Sequence, residues 1–116
     1  ANGAVSATVT AGQLANAPTG LTATPVAGAT VGTGTRTVNL AWALGVANGA
    51  PTTSIQVQRV TGATWAGTVT STTLAATATS TAVTGLVLNT TYTFRVNAVN
   101  AYGTSSSTTV TVTTAK

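Results

Sequence analysis

The stretch Tyr92-Thr93-Phe94-Arg95-Val96-Asn97-Ala98 alternates apolar and polar side chains throughout its length. In an extended chain successive side chains point to opposite faces, so Tyr92, Phe94, Val96 and Ala98 share one face and Thr93, Arg95 and Asn97 the other. A helix would scatter those four apolar residues around its circumference; a strand with one face on a core collects them. The same period continues outward from this stretch. Thr37-Val38-Asn39-Leu40-Ala41-Trp42 aligns Val38, Leu40 and Trp42, and Ser54-Ile55-Gln56-Val57-Gln58-Arg59 turns Ile55 and Val57 inward. Thr109-Val110-Thr111-Val112-Thr113 repeats the pattern near the end of the chain. Weaker β-branched runs lie at residues 21–25, 67–74 and 80–84, and turn signals such as Asn48-Gly49-Ala50-Pro51 and Asn100-Ala101-Tyr102-Gly103 separate the runs. About seven short strands with no 3.6-residue apolar stripe predict an all-β, antiparallel, seven-stranded immunoglobulin-like sandwich.

What the chain lacks is as informative. Its 116 residues, enough for one core, include no Asp, Glu, His or Cys, and only 3% are charged. Soluble domains usually carry roughly a quarter charged residues. Apolar burial and backbone hydrogen bonds must therefore supply the stability. Acid denaturation works mainly by protonating carboxylates that the native state keeps ionised. With no such side chain, the melting temperature is expected to stay flat from neutral pH to pH 3, and the fold to persist to about pH 2, a range in which only the terminal carboxyl titrates. A calorimetric scan series showing collapse between neutral pH and pH 3 would contradict this.

An enzymatic role is not expected. Ser and Thr hydroxyls abound, but the sequence offers no base to activate them, and its single Lys is Lys116. Hard cations want carboxylates and zinc wants His or Cys, so neither a metal nor any other cofactor is expected. The high calculated pI, about 11.0, comes from missing acids and not from abundant bases. Four cations are too few to neutralise the roughly six to ten phosphates of a nucleic-acid site, so no specific nucleic-acid partner is expected. No apolar run approaches the ~20 residues of a membrane-spanning helix. The absence of Cys leaves no disulfide framework, and the chain starts at Ala1 and holds no Met, which points to a processed end or a piece of a larger polypeptide.

From residue 18 to 115 the chain resembles a fibronectin type III domain. Pro18-Thr19-Gly20-Leu21-Thr22-Ala23 is similar to the family's opening strand, and Trp42 stands where its second strand places a core tryptophan. Asn48-Gly49, Pro51 and Ile55 follow its usual loop into the third strand. Leu86, Thr90, Tyr92, Phe94, Val96, Ala98, Asn100 and Gly103 follow its late motif. The resemblance implies a tyrosine corner, with the Tyr92 hydroxyl bonded back to the preceding connection. Leu88 stands in place of the family's usual proline, and Ile55 in place of an aromatic. The family's adhesive Arg-Gly-Asp loop is absent; the corresponding loop is Asn100-Ala101-Tyr102-Gly103-Thr104. Members serve as spacers, adhesive modules, receptor ectodomains and accessories of carbohydrate-degrading enzymes, so the resemblance implies a module without choosing its partner.

Residues 1–17 form an N-terminal extension to the 18–116 domain. Val5, Ala7 and Val9 alternate like a strand and resemble the chain's last run. Three readings stand open: a tail, the final strand of a preceding module, or an assembly strand that adds to a neighbour's sheet edge. With few charges to guard its edges, the sandwich is expected to be receptive to strand pairing, and a net charge of +4 brakes association only weakly at physiological ionic strength.

Four further residues are candidate partner contacts. Trp65 lies in the Gly-flanked run Thr61-Gly62-Ala63-Thr64-Trp65-Ala66-Gly67, and Tyr102 in the loop before the last strand. Either aromatic could stack on a sugar, against the plainer reading that Trp65 folds over the edge of the core. Arg59 follows the inward parity of its strand and Arg95 the outward one, so they need not form a patch. Snorkelling arginines are the plainer account, and loose attraction to glycans or an anionic cell surface the functional one. Asn89-Thr90-Thr91 is a formal N-glycosylation sequon. Together these features lead to a non-catalytic structural module of an extracellular, cell-surface or virion assembly (a fibre, filament, tail or decoration protein), self-associating or joined to neighbouring modules. The alternative is a carbohydrate- or surface-binding accessory of a larger secreted protein.

Overall fold

A computed structural model describes residues 14–46, 48 and 50–116. They form eight antiparallel strands: β1 (Thr19–Val26), β2 (Thr35–Ala43), β3 (Ser54–Thr61), β4 (Thr70–Leu74), β5 (Ser80–Val87), β6 (Thr91–Asn100), β7 (Gly103–Ser106) and β8 (Val110–Thr113). One sheet has the order β1-β2-β5. The other runs β4-β3-β6, with β7 and β8 paired in succession along the far side of β6.

The period-two pattern explains the layering. Val38, Leu40 and Trp42 of β2 face Ile55 and Val57 of β3 and Tyr92, Phe94, Val96 and Ala98 of β6, and Leu86 of β5 completes one continuous core. The Trp42 indole N–H donates to the Ala78 carbonyl at 2.9 Å, so its polar atom is satisfied where its ring is buried. The Val87 N–H donates to the Tyr92 hydroxyl at 2.9 Å. That bond closes the corner between β5 and β6, as the resemblance implied.

The count of eight strands against the expected seven has a local cause. The last strand is interrupted at Ser107, whose backbone N–H donates to the Val96 carbonyl and whose hydroxyl accepts from the Val96 N–H at 2.9 Å. One buried serine thus satisfies both backbone groups of Val96, and the ladder is broken into β7 and β8 around it.

The outer face of the β4-β3-β6 sheet is drier than alternation suggests. Thr93 and Asn97 point away from the core as expected, yet both are only 2% exposed. Val60 lies opposite Thr93 in the β3–β6 register and shares this outer face at 1% exposure. The Thr93 hydroxyl donates to the Gly62 carbonyl and meets the Thr111 hydroxyl. This sheet therefore packs on both sides.

The described chain begins and ends at opposite poles of the sandwich. At the first, Asn16 N–H donates to the Val46 carbonyl, and the Asn48 side-chain amide donates to the Leu14 carbonyl and to Asn16 Oδ1. Ala15 is buried in the core cluster. Gly45 is required here, because a Cβ at that position would collide with the Asn16 backbone. At the other pole the Ala115 carbonyl accepts from the Asn89 N–H, and Lys116 is tied to Arg36.

Candidate functional site

The sequence singled out two surface arginines and two aromatics; the structure distributes them over three places. The first is the outer face of β6. Arg95 stands opposite Gln58 of β3, and its Nε–H donates to Gln58 Oε1 at 2.7 Å. Trp65, carried by the glycine-bounded loop between β3 and β4, lies over the guanidinium, with Arg95 Cζ 4.2 Å from the ring centroid. Trp65 is half-buried and lies outside the core cluster, so its ring covers the outer sheet face and not the edge of the core. One ring face is engaged by Arg95.

The second place is the interior side of β3. Arg59 stands opposite Phe94, so it shares the core face with Ile55 and Val57, and Arg95, one step along the register, faces the other way. The two arginines form no patch. Arg59 instead lines a cleft of about 230 Å³ between β4 and β5, with Thr72 on one wall and residues 81–84 on the other. The third place is the turn after β6, where Tyr102 is 47% exposed and its N–H donates to Asn100 Oδ1. Tyr102 lies at the pole where β6 ends, whereas Trp65 belongs to the loop at the opposite end of β3. Val5, Ala7 and Val9 lie outside the described residues.

Sequence reasoning missed Arg36. It is 3% exposed, turned inward at the head of β2, and held by four backbone carbonyls. Nη1 donates to Thr33 and Thr35, each at 2.9 Å, and Nη2 to Thr30 at 2.7 Å and to Lys116 at 3.0 Å. With no Asp or Glu side chain to face it, the buried guanidinium is met by main-chain oxygens, and its Nε has no partner among the described residues. The signal was present in the parity of Arg36 with Val38, Leu40 and Trp42, but an arginine in that position reads first as a surface charge.

Strand order and the tyrosine corner define an immunoglobulin-like sandwich. The model of the fibronectin type III domain matches residues 16–114, and the chain belongs to that family. No curated protein matches the chain. Among solved structures, the FN5 domain of Drosophila Lar is similar with a TM-score of 0.67 and 16% identity, covering 89% of this chain and 99% of that one. An FN3 domain of human collagen XX gives 0.64 at 23% identity, over 85% of this chain and 91% of that one. The twitchin kinase region from C. elegans gives 0.69 at 17% identity, covering 90% of this chain but 17% of that one. At these identities the likeness shows the fold. Fibronectin type III domains are generally non-catalytic modules and typically occur within larger proteins.

Proposed function

We propose that this chain is a non-catalytic structural module of an extracellular or virion surface assembly, linked in line with its neighbours. The observation that carries the reading is the placement of residues 14–18 and 114–116 at opposite poles, each tied down by hydrogen bonds. Modules joined through such ends stack along one axis, and load passes through the sandwich from pole to pole. An almost uncharged, threonine-covered surface supports close packing between copies. Residues 1–12 would serve as the connector, with Val5, Ala7 and Val9 as the strand that adds to a neighbour.

Electron microscopy and sedimentation of the full chain beside a chain lacking residues 1–12 test this. The full chain is expected to assemble into ordered oligomers and the shortened one to remain monomeric. Assembly by both, or by neither, refutes the connector role. The alternative, a carbohydrate-binding accessory, has the exposed Tyr102 in its favour. Against it, Trp65 is engaged by Arg95 and sits apart from Tyr102, so the two aromatics do not make a single platform for a sugar ring.

A further inference from the structure

Two arginines of this sandwich turn inward. Arg36 is surrounded by main-chain oxygens; the Arg59 side chain makes no hydrogen bond among the described residues. Arg59 lines the cleft between β4 and β5 together with Val57, Phe94 and the hydroxyl-bearing Thr72, Thr81 and Thr84. A partly desolvated guanidinium seeks a planar oxyanion, which it can hold through two parallel hydrogen bonds. This chain contains no Asp or Glu to provide one.

The position of the cleft suggests the source of the missing anion. It opens where both sheets end, between the outermost strands β4 and β5. Other outermost strands are interrupted, β5 by a register shift against β2 between Arg36 and Val38. β1 carries Pro25 and a register shift between Thr19 and Thr22, and Ser105 of β7 is bonded to the Ala15 carbonyl. β4, with the sequence Thr70-Ser71-Thr72-Thr73-Leu74, has no charge, no proline and an unbroken register with β3. Among the described residues no strand pairs with its outer side, which is a template for another strand.

Register links the two features. Thr72 pairs with Val57 and so faces the interior. A residue placed opposite Thr72 on an added strand shares that face, and its side chain enters the mouth of the cleft. At about 230 Å³ the cleft lies below the roughly 300–1,000 Å³ of ordinary small-molecule sites and suits a single side chain. A second copy of this chain could pair with β4 but could bring no side-chain carboxylate.

We propose that β4 and the Arg59 cleft form a docking site for an extended segment of a different polypeptide, which pairs with β4 and delivers an Asp or Glu carboxylate to Arg59. The inference stands apart from the connector role of residues 1–12.

The test uses the full chain and two eight-residue peptides of alternating Thr and Val, one with a central glutamate and one with glutamine there. The glutamate peptide is expected to bind about tenfold more tightly at low salt, with the preference shrinking as salt is raised. Amide resonances of residues 70–74 should shift on binding. Arg59→Gln should erase the preference and Arg95→Gln should keep it. Sodium acetate is run alongside to separate a free carboxylate from a paired strand. Equal binding of the two peptides, a preference that survives Arg59→Gln, or no binding at millimolar peptide overturns the proposal. So does an acetate response at Arg59 without any peptide-induced shift along β4.

Discussion

Replacing Arg36 by methionine is expected to cost about 3–4 kcal/mol and to lower the melting temperature of a domain this size by roughly 15–25 °C. Four carbonyl acceptors lose their donor at once: those of Thr30, Thr33, Thr35 and Lys116. These bonds tie the connection between β1 and β2 to the end of the chain, so both should loosen together in hydrogen exchange. Arg36→Lys should recover little, because one ammonium cannot span the four acceptors that the guanidinium fork reaches. Gly28 provides an internal check. A Cβ there would fall inside the guanidinium, which is itself pinned and cannot retreat. Gly28→Ala should therefore destabilise the native protein by a comparable amount, yet add little once Arg36 is methionine. Strict additivity in that double-mutant cycle would show that the two residues do not act as one unit.

Trp42→Ala is expected to remove about 4 kcal/mol, at the level of other large aromatic truncations in cores. Two effects combine in it. The indole fills the space between the sheets, and residue 42 also anchors the connection between β4 and β5 through its backbone N–H to Thr79 and its indole N–H to Ala78. Trp42→Phe separates them, keeping most of the volume while leaving the Ala78 carbonyl without its donor. That variant should cost roughly 1–2 kcal/mol. Urea melts give the energies, and amide exchange over residues 75–79 reports the lost anchor. If Trp42→Phe proved as damaging as Trp42→Ala, the hydrogen bond and not the packing would carry the loss.

Much of the fold is legible along the chain because its cause is local. A strand half-buried against a core must alternate, and the runs around Leu40, Ile55 and Phe94 do so without interruption. The corner between β5 and β6 was legible through the resemblance carried by Leu86, Tyr92 and the residues that follow. The candidate contacts were less so. Trp65 and Arg95 are 30 positions apart in the chain, and their stacking depends on a loop folding back over the sheet, which no period encodes. The split between β7 and β8 also escaped the pattern, since it turns on a single serine bonding both backbone groups of Val96.

By itself the order of residues determined the sandwich, its apolar face and the absence of groups for acid–base or metal chemistry. Side-chain type and period two act through nearest neighbours, and composition needs no coordinates. Only the tertiary structure decided what each arginine meets. Arg36 and Arg59 have the same inward parity, yet one is enclosed by carbonyls from residues up to 80 positions away and the other faces an open cleft. That difference arises from which distant segments the two sheets bring together, and a guanidinium responds to the oxygens around it, wherever in the chain they originate.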